Sequence, residues 1–299
     1  MYTIKQAARI TGVPEASLRA WERRYAVVVP QRNDAGYRVY DEAALAALST
    51  MRRLVEDGWA PAEAAVAVRD GTAPAAPSSP VAPVRDTPAV DLPGAEAYTR
   101  LLLTSAKHLD TVGIEQSLDG GFALGSFEHV VDSWLFPALG ALGDAWSRGE
   151  VDVAGEHAAS HAVHRRLSAA FDAAGIRTGG PTVVVGLPPG SLHALGSLAF
   201  ATALRRRGLD VLYLGADVPV DAWGTAVLGL QARAAVLSVP TQEDRPAAVA
   251  VAERLLGLTP APLVCAGGSG GADLATGVTT LADSIGAAAQ ELDDLVHSG

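Results

Sequence analysis

The chain has very little of what membrane, secreted and disulfide-bonded proteins require. Its 299 residues include a single cysteine, Cys265, which excludes an intrachain disulfide bond and a zinc site built from several thiolates. No uncharged run of about 18 residues has the sustained hydrophobicity of a membrane span. The N-terminus also lacks the basic and then apolar order of a signal peptide. We therefore expect a cytoplasmic protein with no membrane partner.

Positive charge is also scarce, but it is unevenly distributed. The net charge is −10, yet residues 1–70 carry 10 Lys and Arg against 9 Asp and Glu, whereas residues 71–299 carry 13 against 24. Between residues 19 and 53, seven arginines outnumber four acids. This asymmetry predicts nucleic-acid binding for the N-terminal part alone.

A proline-rich segment divides the chain. Residues 71–94 contain few large apolar side chains and cannot bury enough surface to fold, so we expect a linker there. Residues 1–70 predict a winged helix-turn-helix, with two short helices around Gly12, a hairpin at 33–40 and two further helices. This domain should end where the linker begins.

Two different periodicities follow the linker. Residues 95–177 show three long amphipathic patterns, or four if the first divides, which predict a four-helix bundle. Residues 178–299 alternate four strands with helices, which is typical of a doubly wound, Rossmann-like domain. The expected fold class is therefore multidomain, α and α/β. Ligands bind such sheets at the carboxyl ends of the strands, where His193, Ser238 and Gly267–Gly268 lie.

Three arginines on the second predicted helix are candidates for DNA contact. Arg19, Arg23 and Arg24 recur at about one-turn spacing, and a guanidinium can read guanine edges or clamp a phosphate. Taken alone, this helix fits a solvated arginine face better. The predicted hairpin carries Arg38 beside tyrosines, and a helix with a basic wing forms a coherent surface for duplex DNA.

The stretches "YTIKQAARITGVPEASLRAWERRY" and "GYRVYDEAALAAL" resemble the winged helix-turn-helix of the MerR superfamily. The resemblance implies that the second helix enters the major groove while the wing touches the backbone and minor groove. It assigns these contacts to Arg19, Arg23, Arg24, Tyr37 and Arg38. MerR proteins usually dimerise through a long helix, which the linker replaces here. Self-association must therefore use other parts of the chain.

His193 is the only histidine between residues 165 and 296, and it follows a valine-rich strand and a Pro-Pro-Gly turn. Imidazole binds cobalt, iron or zinc when neutral. Taken alone, the position fits an ordinary turn or core histidine better. A naked zinc ion would lack further ligands nearby, whereas a corrin or porphyrin supplies its own equatorial ligands and needs only one.

The segment S-L-H-A-L-G at 191–196, followed by Ser238 and Gly267–Gly268, resembles the D-x-H-x-x-G, Ser and Gly-Gly fingerprint of cobalamin-binding domains. The resemblance implies that His193 is the lower axial ligand of cobalt. It also implies that the nucleotide tail of the cofactor enters a slot lined by Ser238 and closed by the glycines. Gly196 belongs to the same motif. Small residues are required because a side chain would fill the channel.

Ser191 departs from this fingerprint, because cobalamin-binding domains usually have a carboxylate at its position. That carboxylate accepts the second imidazole proton and strengthens the ligand. Losing such a partner costs about 10–100-fold in metal affinity. We expect Ser191 to serve the same cofactor more weakly.

The pattern formed by Trp146 and Glu156–His157 resembles that of CarH/LitR-type cobalamin-dependent photoreceptors, which share the MerR module. A core anchor and a first helical turn are the alternative reading of these residues. The resemblance implies that Trp146 covers the adenosyl group of adenosylcobalamin and that Glu156 and His157 contact the same upper face. Ser147 replaces a histidine that takes cobalt's vacated position in these light sensors. Either another group, such as water or His157, fills that position or the photoproduct differs.

Two other clusters have simpler interpretations. His157, His161 and His164 recur on one helical face, but they do not form the H-E-x-x-H pattern of a zinc site, so we expect exposed helix-face histidines. The arginines at 205–207 are most simply the solvated end of a helix.

The resemblance covers nearly the whole chain and implies a repressor, not an enzyme. In this scheme the dark, adenosylcobalamin-bound protein is a homo-oligomer, a tetramer in the family, and binds double-stranded promoter DNA. Light breaks the cobalt–carbon bond and the oligomer dissociates. A regulator that senses cobalamin without light, or that keeps the fold without cofactor, stays open. A methyltransferase or mutase fragment fits less well, because the chain has a DNA-binding module and no substrate barrel.

Overall fold

The computed structural model describes residues 2–11, 13, 15–28, 30–32, 38–56, 61–69, 92–175 and 179–298. The contacts divide the chain into two compact units, Met1–Ser78 and Ser79–Gly299. The tip of the predicted hairpin, including Tyr37, and most of the predicted linker lie outside the described residues.

The first unit is a winged helix-turn-helix. Its elements are β1 (Tyr2–Thr3), α1 (Ile4–Thr11), α2 (Glu15–Tyr25), β2 (Gln31–Arg32), β3 (Arg38–Tyr40), α3 (Glu42–Glu56) and α4 (Pro61–Arg69). The strands form an antiparallel sheet in the order β1-β3-β2. Leu18, Tyr40, Leu48 and Met51 are fully buried between the helices and this sheet. The core therefore joins α2 to the wing strand β3.

The second unit begins with the helical bundle. Its elements are α5 (Ala95–Lys107), α6 (Thr111–Phe122), α7 (Phe127–Val130), a π-helix (Val131–Leu135), α8 (Phe136–Ser147) and α9 (Val153–Ala173). The first predicted pattern does divide. Asp110 caps α6 by accepting a hydrogen bond from the Gly113 N–H at 3.1 Å. Since α7, the π-helix and α8 are continuous, the bundle has four long helical stretches.

The sheet domain completes the second unit. Its elements are β4 (Thr182–Gly186), α10 (Leu195–Arg207), β5 (Asp210–Gly215), α11 (Val220–Leu230), β6 (Ala234–Ser238), α12 (Arg245–Leu256), β7 (Leu263–Gly267), β8 (Thr279–Thr280) and α13 (Ile285–Ser298). The five strands are parallel, in the order β5-β4-β6-β7-β8. The strand order reverses between β4 and β6, which is where doubly wound domains bind ligands. The predicted fold class is confirmed.

Alternation along the strands distributes the core between two helical layers. Val183 and Val185 pack with α10 and α13, whereas Val184 packs with α11 and α12. The bundle covers part of the first layer, because Leu198 and Ala199 of α10 belong to the bundle's own hydrophobic core. The bundle and the sheet domain are thus one packed body.

Two features differ from the sequence-based expectation. The short strand β8, only two residues long, carries too little alternation to be recognised. The arginines at 205–207 end α10, and Arg206 and Arg207 are exposed there as expected, but the contacts that Arg205 and Arg206 make with the bundle were not expected. The Arg205 guanidinium carbon lies 3.5 Å from the centroid of the Phe171 ring, and Arg206 Nε lies 2.7 Å from Glu128 Oε1. These side chains bind the sheet domain to the bundle.

Candidate functional site

A cleft opens at the carboxyl ends of β4, β6 and β7. It encloses about 510 Å³ of empty space, part of it open solvent. Its lining includes Gly196, Ser238, Gly267 and Gly268, four residues that the sequence singled out. The opposite wall is formed by the start of α13 and the segment before it, residues 281–285 and 288. The cleft lies at the switch point of the sheet, so fold and motif indicate the same place.

The glycines of the cleft have two different roles. A Cβ atom on Gly196 or Gly267 would have no atom within 4 Å, so any side chain there would take up empty space. Gly268 is required by the backbone, because its φ is +94° and a Cβ would lie 2.6 Å from the Val239 carbonyl oxygen. Gly196 and Gly267 therefore keep the cleft open. Gly268 permits the tight turn that directly follows β7.

His193 lies on the loop between β4 and α10, half-buried beside the first turn of α10. The loop is held from the β5–α11 connection, where Asp217 Oδ1 accepts a hydrogen bond from the Gly190 N–H at 2.7 Å. The Asp217 N–H in turn donates to the Ser191 carbonyl at 3.0 Å. Within the described residues, the imidazole has no hydrogen-bond partner. A fixed backbone with an uncommitted ring suits a ligand to an external group.

Ser191 carries an orphaned polar atom two residues before His193. The residue is 1% exposed, and its Oγ has no hydrogen-bond partner in the described part of the chain. Buried hydroxyls are rarely left unpaired, so such an atom indicates a missing partner. Together with the open cleft, this hydroxyl and the uncommitted imidazole fit a corrinoid bound across the strand ends.

Trp146, Glu156 and His157 lie at one end of the bundle, on either side of the short turn between α8 and α9. Trp146 and His157 are half-buried, whereas Glu156 is 5% exposed. The structure joins Glu156 Oε2 to His157 Nδ1 at 2.7 Å, and Ser160 Oγ donates to Glu156 Oε1 at 2.5 Å. Among the described residues, no hydrogen bond or ion pair connects this group to His193.

The environment of Glu156 keeps the carboxylate ionised. Burial alone would raise its pKa, but hydrogen bonds from His157 and Ser160 and the nearby imidazoles together hold the pKa below its usual value. Ser147 is exposed and donates to the Asp144 carbonyl at 2.8 Å. A carboxylate anion is therefore held at the same end of the bundle as Trp146, and a hydroxyl occupies position 147.

The other candidate metal residues do not assemble. In the part of the chain that the structure describes, no group of three or more His, Cys, Asp or Glu could hold a metal ion. Cys265 is buried in β7, and burial, followed by the Glu291 charge, raises its thiol pKa to about 12. His161 and His164 are exposed, as expected for a solvated helix face.

The predicted DNA-contacting arginines of α2 are exposed in the first unit. Arg19, Arg23 and Arg24 all lie on the outer surface of the helix, while Leu18 is buried beneath it. Arg38, on the wing strand β3, also remains 42% exposed. Tyr37 lies outside the described residues.

Glu22 is a functional candidate that the sequence did not reveal. Its Oε2 accepts from Arg38 Nε at 2.9 Å, and its Oε1 accepts from the Tyr40 hydroxyl. Burial, with this hydrogen bond second, raises the pKa of Tyr40, so the phenol stays a donor. Glu22 therefore ties α2 to the wing strand.

The segment before α13 was also missed as part of the site. The wall of the cleft includes Leu281, Ala282, Asp283, Ser284 and Ile285, none of which belongs to a motif. Ser284 was a recognisable signal for the helix start, since Ser is a preferred N-cap and its Oγ accepts from the Ala287 N–H at 3.2 Å. Its proximity to the cleft depends on tertiary packing.

Two parts of the chain match known family models. Residues 2–70 match the MerR HTH family of regulatory proteins, and residues 99–170 match a B12 binding domain. The monomethylamine corrinoid protein of Methanosarcina barkeri has a similar structure, with a TM-score of 0.54 and 14% identity over 67% of this chain and 96% of that chain. This last likeness concerns the fold alone. No helix in the described ranges is long and apolar enough to cross a membrane.

Two curated relatives extend over most of the sequence. The HTH-type transcriptional repressor CarA of Myxococcus xanthus is 31% identical over 267 residues, which cover 88% of this chain and 85% of CarA. The repressor CarH of the same organism is 34% identical over 232 residues, covering 77% of this chain and 76% of CarH. These relatives are regulators, and the chain is accordingly a regulator and not an enzyme. The chain belongs to the CarA/CarH family, the MerR-type transcriptional repressors that carry a B12-binding domain.

Proposed function

We propose that this protein is a cytoplasmic, adenosylcobalamin-dependent repressor that releases promoter DNA in the light. The observation that carries the proposal is the cleft at the switch point of the sheet. Gly196 and Gly267 leave it open, and the loop that leads to Gly196 carries an uncommitted imidazole, His193, and an orphaned hydroxyl, Ser191. That combination suits a large ligand with one axial position and a tail.

The residues of the sheet domain would hold the lower half of the cofactor. His193 is the proposed cobalt ligand, with Ser191 as the acceptor for its second ring proton. Ser238, Gly267 and Gly268 line the space for the nucleotide tail. A single imidazole suffices as the protein ligand because the corrin supplies the other nitrogens.

The bundle would hold the upper half. Trp146 would offer an aromatic face to the adenosyl group, and Glu156, whose pKa is held low, would accept hydrogen bonds from its hydroxyls or amine. His157 is oriented by its contact with Glu156. Adenosylcobalamin, when bound, supplies a cobalt–carbon bond that visible light breaks.

DNA binding would be the output of this switch. Arg19, Arg23 and Arg24 of α2 and Tyr37 and Arg38 of the wing are the proposed contacts to duplex DNA. In a homo-oligomer, several such modules bind adjacent half-sites together, and avidity increases their combined affinity. Changing occupancy from mostly bound to mostly free needs a difference of about 5.5 kcal/mol between the two states.

The decisive experiment is size-exclusion chromatography with adenosylcobalamin, in the dark and after green light. We expect a larger species in the dark, a tetramer if the family pattern holds, and a smaller one after illumination. An unchanged mass would rule out a light-driven switch of assembly. His193→Ala should weaken cofactor binding and reduce the spectral change on ligation, and an unchanged visible spectrum would refute the axial role.

Ser147 favours a second candidate function, a regulator that responds to cobalamin itself. An exposed serine hydroxyl already bonded to the Asp144 carbonyl is a poorer cobalt ligand than imidazole. Under this alternative, cobalamin addition changes DNA affinity equally in the dark and in the light. Gel-shift titrations under both conditions separate the two candidates.

A further inference from the structure

The last helix of the chain is capped by the bundle. The two carboxylate oxygens of Asp132 accept the first two amide hydrogens of α13, from Ile285 N at 2.7 Å and Gly286 N at 2.9 Å. Ser284 Oγ accepts the third, from Ala287 N at 3.2 Å. Helices normally satisfy these orphan donors with their own N-cap or with water. Here two of them depend on a residue some 150 positions earlier.

The local structure of both partners is adapted to this contact. Asp132 lies in the π-helix Val131–Leu135, and such π segments are common where a helix has a function beyond packing. On α13 the contact residue is a glycine. A Cβ on Gly286 would lie 3.3 Å from Asp132 Oδ2 and 3.6 Å from the Glu128 Cβ. Gly286 thus lets the bundle approach closely.

The carboxylate is kept at this position at a cost to stability. Burial raises the pKa of Asp132, and the backbone N–H groups of Gly286 and Ile285 offset that only in part. The Glu128 charge adds to the rise and His129 opposes it. A pKa raised in the folded protein means that the ionised form at neutral pH is less favoured there than in the unfolded chain. What the contact does geometrically is to hold the first turn of α13 against the bundle.

What Asp132 positions is a wall of the cleft. Ile285, whose N–H it accepts, lines the cleft directly, as do the four residues before it. The lining also contains Ser238 and Gly267, which end the strands β6 and β7 of the central sheet. The width of the cleft therefore depends on where the first turn of α13 is held.

We infer that Asp132 is a positioning residue for the nucleotide tail of the cofactor and that through it the bundle controls the width of the tail cleft. The inference rests on the proposed binding of cobalamin. The sequence predicts that the bundle covers the upper face of the cofactor. Under this inference the bundle also takes part in recognition of the nucleotide tail, on the lower side. Movement of the bundle would release the wall and loosen the tail.

The test compares two corrinoids that differ only in the tail. Full-length protein is titrated in the dark with adenosylcobalamin and with adenosylcobinamide, which has the same corrin and adenosyl group but no nucleotide. Asp132→Ala should weaken cobalamin binding about tenfold, which corresponds to about 1.4 kcal/mol. Its affinity for cobinamide should stay within about twofold of the parent. Equal shifts for both corrinoids, or no shift, would overturn the inference.

Two further variants separate positioning from simple loss of stability. Asp110→Ala removes an aspartate N-cap that acts wholly inside the bundle, and it should affect both corrinoids alike. Gly286→Ala crowds the same contact from the other side and should reproduce the selective loss of cobalamin affinity more weakly. If Asp132→Ala fails to fold, Gly286→Ala decides the question by the same comparison.

Hydrogen exchange supplies a readout that needs no cofactor. In the ligand-free protein, Asp132→Ala should speed exchange of the Ile285 and Gly286 amides, while Asp110→Ala should not. Unchanged exchange at these two amides would contradict the capping of α13 by Asp132. If the parent protein binds neither corrinoid, the proposed function fails. Cobalamin binding without a selective effect of Asp132 overturns only this inference.

Discussion

At the scale of single residues, the absence of a side chain is as important as its presence. Gly267 ends β7 at the cleft, and the space beside its Cα is empty, whereas Gly268 is determined by its own backbone angle. The sequence shows only a Gly-Gly pair, and the structure shows that its two members serve different purposes.

Gly267→Val should fill part of the cleft without straining the fold. We expect at least a tenfold loss of cobalamin affinity, about 1.4 kcal/mol, and little change in affinity for cobinamide. Titration followed by visible absorbance measures both. Gly229→Val on α11, where a Cβ also has no atom within 4 Å, is the matched control and should alter neither affinity. Equal binding of both corrinoids to Gly267→Val would show that the tail lies elsewhere.

Ser191→Asp tests the orphaned hydroxyl. A carboxylate at this position would accept the second ring proton of His193 and make the imidazole a stronger ligand, by about 10–100-fold in cofactor affinity. Ser191→Ala, which removes the hydroxyl, should weaken binding or leave it unchanged. Urea unfolding of each ligand-free variant reports any cost of placing a carboxylate at this buried position. A folded Ser191→Asp protein with parental affinity would argue against the hydrogen bond.

At the scale of elements, Glu22 joins the helix α2 to the wing strand β3. Glu22→Ala removes the acceptor for both Arg38 and Tyr40 and so loosens the wing strand against the helix, although the shared core remains. We expect DNA affinity to fall by about tenfold, or about 1.4 kcal/mol. Removal of a negative charge near DNA should by itself increase affinity, so the sign distinguishes positioning from charge. Asp41→Asn, which removes an acid from the same unit, is the control, and gel shifts at fixed salt measure both. Tighter binding by Glu22→Ala would contradict the positioning role.

The elements that were predictable from the sequence are those with a local signal. The run of three valines in β4 and the long apolar stretch of α10 are such signals, since both elements are buried over most of their length. Asp110 marks the division of the first bundle pattern in the same local way. By contrast, the Asp132 contact joins residues that no periodicity relates. The cleft wall near Ile285 was invisible for the same reason.

At the scale of the whole molecule, the charge distribution limits how tightly a single DNA-binding module can bind DNA. The part after residue 70 has 24 acids against 13 bases, a net charge of −11, whereas residues 1–70 have 10 bases against 9 acids, a net charge of +1. An acidic body repels DNA, so one exposed arginine face gives weak binding. Tight binding should therefore depend on joining several modules.

This reasoning predicts how affinity depends on the number of DNA half-sites. In the dark, with adenosylcobalamin, a duplex with two adjacent half-sites should bind about 10²–10⁴-fold more tightly than a duplex with one. After illumination the two duplexes should bind with similar affinity. Fluorescence anisotropy with both duplexes provides the comparison. An equal advantage of the double site in dark and light would show that assembly is not the switch.

The cap that Asp132 places on α13 limits how this protein can be recombined with its relatives. A sheet domain transplanted without its bundle would begin its last helix with two unpaired amides, at Ile285 and Gly286. A foreign bundle lacking the aspartate would leave the same defect, and a foreign helix with a larger residue at 286 would meet the carboxylate. Positions 132 and 286 should therefore be inherited as a pair, and functional chimeras should be those that exchange both or neither.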